Sequence, residues 1–148
     1  MSDGRVHIRR GRRTDFTAVM ALLAASGVAV PVPDRATLRR WRQLVADLGG
    51  DLYLALVDDA VVGLVHVTYA RQLATPPSAR LDQLVVAPSV RRRGIGSALL
   101  AFVERRARQR GCRTFTCVVP DADAAVRAFL DKAGTAADAQ RFSKPLRD

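Results

Sequence analysis

Residues 91–97, Arg91-Arg92-Arg93-Gly94-Ile95-Gly96-Ser97, follow an apolar run at 81–86 and lead into a helical pattern that continues to 110. A strand that passes through a glycine-containing loop directly into a helix leaves several backbone N–H groups without intrahelical acceptors, and the positive end of the helix dipole lies among them. Such a place holds an anion. Gly94 and Gly96 remove side chains where a phosphate must approach the main chain, and Arg91, Arg92 and Arg93 add charge beside it. Metal or thiol chemistry fits the residues poorly. Cys112 and Cys117 are separated by four residues, the spacing of neither a redox pair nor half of a usual zinc site, and the only histidines are His7 and His66. No metal is expected.

Other phosphate-binding loops do not match. A P-loop needs a lysine and then Ser or Thr after its last glycine, whereas Ser97 follows Gly96 directly. A dinucleotide fingerprint needs a third Gly or Ala where this chain has Leu99, and the loop between Val86 and Gly94 is too long for its tight turn.

The elements that must position this loop can be read along the chain. Residues 6–8 suggest a short strand. Thr14 or Asp15 can cap a first helix with Phe16, Val19, Met20, Leu22 and Leu23 at helical spacing, and Asp34 can cap a second with Leu38, Trp41, Leu44, Val45 and Leu48. Two β-rich runs, 52–57 and 61–69, flank Asp58-Asp59-Ala60 as a hairpin, and Gly63 inside the second marks a bulge or a close backbone approach. A strand at 81–86, the helix from Gly94 with its arginines on the outer face, and a strand at 114–119 follow in the order that gives a parallel pair. A short helix at 124–133 and a last edge strand at 140–146 complete the pattern.

The chain has 148 residues, 49% of them hydrophobic and 26% charged, which suits a single domain over 1–148. No apolar run reaches the roughly 18 residues of a membrane span, and the first ten residues carry charges where a signal peptide needs an apolar core, so a cytoplasmic protein without a membrane partner is expected. The net charge of +10 calls for an acidic partner. Residues 91–113 hold eight arginines against one glutamate, +7 of that total. Nucleic acid is disfavoured, because there is no recognised reading module and only 5% of residues are aromatic.

The run Arg91-Arg92-Arg93-Gly94-Ile95-Gly96 follows the pattern Arg or Gln, two residues, Gly, any residue, Gly or Ala. With Leu84-Val85-Val86-Ala87-Pro88 before it and Ser97-Ala98-Leu99-Leu100 after it, it resembles the acyl-CoA site of the GNAT superfamily of N-acetyltransferases, and the element order extends the likeness over nearly the whole chain. The resemblance implies an α/β fold: a mixed, mostly antiparallel sheet of six to seven strands, helices on both faces, and a parallel, splayed central pair. It implies acetyl-CoA as cosubstrate, its pyrophosphate held by N–H groups of Arg92 to Ser97 with Arg91 beside them, and its pantetheine arm along Leu84, Val85 and Val86. A primary amine then attacks the thioester directly.

By the same resemblance Asp82, four residues before Val86, stands where relatives place a glutamate base. From its residue type alone it is a surface or ion-paired carboxylate. The N–H of Val85 or Val86 would hold the oxyanion. Asp123 falls where an asparagine often binds the pantetheine arm, although a helix N-cap accounts for it as well. Leu130 replaces the tyrosine that relatives use as the acid. Either Tyr69, Cys117, Ser143 or solvent protonates the thiolate, or the chain is a non-catalytic acyl-CoA-binding domain. His66 and Tyr69 can contact substrate or pack in the sheet, and Trp41 is expected to pack. The acceptor depends on residues 9–51 and 71–78, and a homodimer through the C-terminal strand fits the fold.

Overall fold

Alternation of Leu52, Leu54 and Leu56 with Tyr53 and Ala55 gives one strand two apolar faces, so it must lie inside a sheet covered on both sides. The computed structural model describes residues 4–27, 30, 32–118 and 124–146. Its first unit, Met1–Val118, contains β1 (His7–Arg10), α1 (Phe16–Ala25), α2 (Arg35–Ala46), β2 (Gly50–Val57), β3 (Ala60–Ala70), β4 (Ser78–Val86), α3 (Ile95–Gln109) and β5 (Thr114–Cys117). The second unit, Val119–Asp148, contains α4 (Ala124–Lys132).

The strands lie in the order β1-β2-β3-β4-β5. The first three interfaces are antiparallel and β4 pairs with β5 in parallel, across the α3 connection. On one face Leu52, Leu54, Leu56, Leu64 and Val85 pack with Val19 and Leu22 of α1 and Trp41 of α2. On the other, α3 brings Ile95 and Leu99 over Ala55 and Gly63, and the rings of Tyr53 and Phe102 meet edge-on at 4.6 Å. Helices on both faces are thus observed.

Several local expectations hold. Asp34 caps α2 by accepting the Thr37 N–H at 2.9 Å. The β2–β3 hairpin turns through Asp58 and Asp59, with φ of +49° and +62°, the left-handed pair that a tight two-residue hairpin needs. Others change. The described residues form five strands, not six to seven, and the parallel pair lies at the sheet edge, not its centre. Residues 140–146 form no strand: Phe142 and Leu146 are exposed, and a segment with two spaced apolar residues and Pro145 has little to bury against a neighbour. The second helix ends at Ala46, so Leu48, 85% exposed, lies beyond the helix expected to carry it, and Leu44 is 39% exposed. Asp15 does not cap α1 but binds Arg9 and the Arg12 N–H.

Gly63 shows why the sheet closes so tightly under α3. A Cβ there would lie 2.9 Å from Leu99 Cδ1 and 3.3 Å from Ala55 Cβ, and Leu99 is fully buried. Gly63→Val is therefore expected to cost about 1–3 kcal/mol by overpacking. The check is a lower denaturation midpoint at unchanged slope.

Candidate active site

The β4–β5 pair is short. Ser78 to Leu81 pair with Thr114 to Cys117, and β5 ends there while β4 continues to Val86. From Asp82 onward the edge of β4 faces no strand among the described residues. Across the other edge the Ala87 N–H donates to the Val62 carbonyl at 2.8 Å. The two-residue alternation of an antiparallel ladder then turns Val85 toward β3 and leaves the N–H and C=O of Leu84 and Val86 pointing away from it. Arg91 Nε donates to the Val86 carbonyl at 3.4 Å, in keeping with that direction.

This open edge leads to the loop. A single 3₁₀ turn, Pro88–Val90, precedes Arg91, and Arg92 and Gly94 have φ of +66° and +77°. The first backbone bond of α3 is Ala98 N–H to the Gly94 carbonyl at 2.9 Å. Among the described residues, the N–H groups of Arg92, Arg93, Gly94, Ile95, Gly96 and Ser97 donate to no backbone carbonyl. A Cβ at Gly94 would meet nothing within 4 Å, so space lies open above these donors. Arg91, Arg92, Arg93 and Ser97 are exposed, whereas Ile95 is buried and anchors the loop to the sheet. The expected glycine-containing turn, with main-chain donors that have no backbone acceptor, is therefore present.

A β-bulge shapes the other half of the site. His66 pairs with Gln83 and Val67 with Leu81, so Asp82 is an extra residue in β4. Asp82 Oδ2 accepts the Thr68 hydroxyl at 2.6 Å, Oδ1 accepts Arg80 Nε at 2.7 Å, and His66 Nδ1 lies 3.9 Å from Oδ2. Sequence reading singled out Asp82 but not its partners Thr68 and Arg80 or the bulge, because an inserted residue in a ladder leaves no local composition signal.

Burial holds the His66 imidazole below its ordinary pKa; Asp82 and Asp47 oppose that shift and Arg80 adds to it. Its Nε2 is buried without a hydrogen-bond partner among the described residues. As pH falls below 6.5 the unfolded chain takes up a proton that folded His66 still refuses, so stability is lost in that window and is independent of this residue above it. His66→Gln is expected to lose less stability than the parent between about pH 7.5 and pH 5.5, read by chemical denaturation at the two values.

Tyr69 and the arginines of α3 do something the sequence did not suggest. Asp51 is 0% exposed. It receives Arg10 at 2.7 Å, Arg110 at 3.3 Å, Arg106 at 3.7 Å and the Tyr69 hydroxyl hydrogen. Arg110 stacks on the Tyr69 ring at 4.4 Å, and Arg10 and Arg106 lie against Tyr53. Arg106 and Arg110 thus fold inward instead of lying with the others on the outer face of α3. Burial and Asp51 push the Tyr69 pKa up, so the phenol keeps its proton and donates it in a hydrogen bond to that carboxylate. A carboxylate inside an apolar strand, together with arginines four apart on a helix, was the available signal.

Trp41 packs as expected, its indole N–H donating to the Arg12 and Arg13 carbonyls. Cys117 sits at the register of Leu81, where the strands part, and burial raises its thiol pKa. Leu130 and Ser143 belong to the second unit. Asp123 lies outside the described residues, as do Pro120 and Asp121.

Residues 16–134 match the profile of the Acetyltransferase (GNAT) family. The chain belongs to the GNAT family of acetyltransferases. No curated protein matches it significantly in sequence. Solved structures share the GNAT fold at low identity. A transcriptional regulator from Bacillus halodurans has a TM-score of 0.84 at 21% identity, over 96% of this chain and 100% of that one. An aminoglycoside 6′-N-acetyltransferase from Acinetobacter baumannii has 0.80 at 21%, over 97% and 100%. An aminoglycoside N-acetyltransferase in complex with CoA has 0.81 at 19%, over 97% and 96%. No described helix of this GNAT chain is long and apolar enough to cross a membrane.

Proposed function

We propose that this GNAT chain is an N-acetyltransferase, a single domain over residues 1–148 that moves the acetyl group of acetyl-CoA to a primary amine by direct attack. The observation that carries the reading is the continuity of two open main-chain surfaces. The free N–H groups of residues 92–97 begin α3, and the unpaired edge of β4 runs up to them. The first suits a diphosphate. The second suits the amides of a pantetheine arm lying as an added strand on Leu84 and Val86. That one structural neighbour is a complex with CoA supports the assignment.

The chemistry divides among few residues. The Val86 N–H, free of β3, is the donor for the developing oxyanion, in preference to Val85. Asp82 stands where the strands part and takes a proton from the ammonium. Leu130 cannot donate a proton and Tyr69 donates to Asp51. Cys117 keeps its thiol proton at neutral pH and is the candidate donor in the first unit, with solvent as the other source.

Calorimetric titration with acetyl-CoA and CoA, followed by free-thiol release across a panel of amines, tests this. Binding with turnover supports the transferase, binding alone leaves an acyl-CoA-binding domain, and no binding overturns the loop assignment. Asp82→Asn is expected to lower kcat/KM about 10²–10⁴-fold with acetyl-CoA affinity little changed. An unaltered rate would return Asp82 to a plain partner of Arg80.

A further inference from the structure

We propose that His66 is a positioning residue for deprotonation of the acceptor amine: its Nδ1–H holds the water through which Asp82 takes the ammonium proton. This rests on the acetyl-transfer reading above, with Asp82 as the base. Cross-strand partners share a face of a sheet, and His66 lies opposite Leu52, which packs with Val19 and Leu22 of α1 and Trp41 of α2. Thr68, two residues further along β3, shares that face, and its hydroxyl donates to Asp82. His66, Thr68 and Asp82 thus form one polar group beside the point where β4 and β5 part.

The two ring nitrogens of His66 have different surroundings. Nε2 is buried and has no hydrogen-bond partner among the described residues. The main chain at Gly50 lies against it, so close that an added Cβ there would be 3.5 Å from Nε2 and 3.0 Å from the Val67 carbonyl oxygen. Nδ1 faces Asp82 Oδ2 at 3.9 Å. Burial keeps the ring neutral at pH 7 against Asp82 and Asp47, and Arg80 acts in the same sense as burial. A neutral imidazole carries a single N–H. An orphaned N–H in a protein interior is rarer than an orphaned acceptor, so the bare nitrogen is Nε2. The carboxylate across from Nδ1 favours the proton there as well.

A separation of 3.9 Å is too long for a hydrogen bond but suits one bridging water at about 2.8 Å from each atom. Such a water accepts Nδ1–H, donates to Oδ2 and keeps a lone pair for an ammonium N–H. Asp82 has room for it: Thr68 takes one lone pair of Oδ2, Arg80 takes one of Oδ1, and each oxygen retains a second. When the ammonium N–H bond breaks, its proton passes to the water and a water proton passes to Oδ2. The amine nitrogen keeps the electron pair with which it attacks, and His66 gives up no proton. The orphaned Nε2 is then the consequence of aiming the only N–H of the ring at the site.

The tautomer is read by ¹⁵N NMR of the imidazoles, with His66→Asn separating the His66 signals from those of His7. Nδ1 protonated and Nε2 bare is the expected state at about pH 8. The reverse overturns the proposal whether or not the chain turns over. Kinetics test the role, with acetyl-CoA saturating, thiol release as readout, and ethanolamine, glycinamide, spermidine and kanamycin as amines. His66→Gln, whose amide reaches the position of Nε2 and not that of Nδ1, is expected to lower kcat about tenfold on the fastest of them and to leave the KM for acetyl-CoA unchanged. His66→Asn places an amide N–H where Nδ1–H stood and is expected to stay within about threefold of the parent. It should also keep the acid limb of the pH profile, because that N–H persists in both charge states of the ring. Equal losses in both variants, no loss in His66→Gln, or an acid limb that vanishes in His66→Asn overturns the role while acetyl transfer stands. Thiol release from no amine overturns the transferase reading and this role with it.

Discussion

Gly94→Asp is expected to abolish acetyl-CoA binding. The substitution acts at the one point where the loop is both left-handed, at φ +77°, and open, with nothing within 4 Å of an added Cβ. A non-glycine residue there costs about 1–2 kcal/mol of backbone strain, which the fold can bear. The carboxylate does the larger damage. It can satisfy the N–H groups that begin α3, as an aspartate N-cap does, and it repels a diphosphate approaching the same donors. Like charges brought together cost several kcal/mol, so a loss of at least about 10²-fold in affinity is expected by calorimetry. Gly94→Ala separates the two effects: it carries the strain without the charge and should retain most of the binding. Unchanged affinity in Gly94→Asp would place the cosubstrate elsewhere on the chain.

Asp51→Asn is the variant expected to damage the fold most. The fully buried carboxylate accepts hydrogen bonds from Arg10 of β1, Arg110 at the end of α3 and Tyr69 of β3, and pairs in charge with Arg106 of α3 at 3.7 Å. Removing one partner of a buried ion pair costs about 3–5 kcal/mol, because the remaining charges stay where they were. The arginine side chains are 33–43% exposed, so water screens part of that cost and a loss near the lower end is expected. Equilibrium denaturation reads it. Adding Arg106→Gln, which removes one stranded charge, should recover part of the loss. A loss below about 1 kcal/mol would mean that solvent satisfies the three guanidiniums without Asp51.

The loop was legible because its meaning is local. Glycines between a strand and a helix announce a turn into a helix start without reference to the rest of the chain, and the positive φ at Gly94 and the N–H groups without backbone acceptors agree with that turn. Asp34 as a cap and Asp58-Asp59 as a turn are short-range in the same way. The left-handed Arg92 was not legible, since only glycine advertises that conformation by its type. Nor was the missing strand at 140–146, because a strand needs a neighbour, and periodicity in one segment says nothing about whether a partner edge awaits it.

The sequence by itself determined that this chain builds an α/β sheet with a glycine-containing turn into its longest helix, the turn proposed above to hold a diphosphate, and it singled out Asp82 as a carboxylate to watch. Only the tertiary structure decided what Asp82 touches. The bulge that seats it beside Thr68, Arg80 and His66 depends on register between β3 and β4. The edge left open beyond Leu81 depends on where β5 stops, and the gathering of arginines on Asp51 joins residues 41, 55 and 59 positions apart. Side-chain type and spacing record interactions within a turn or two of chain. Pairing and burial are set by which distant segments exclude water together, and a linear pattern does not contain that information.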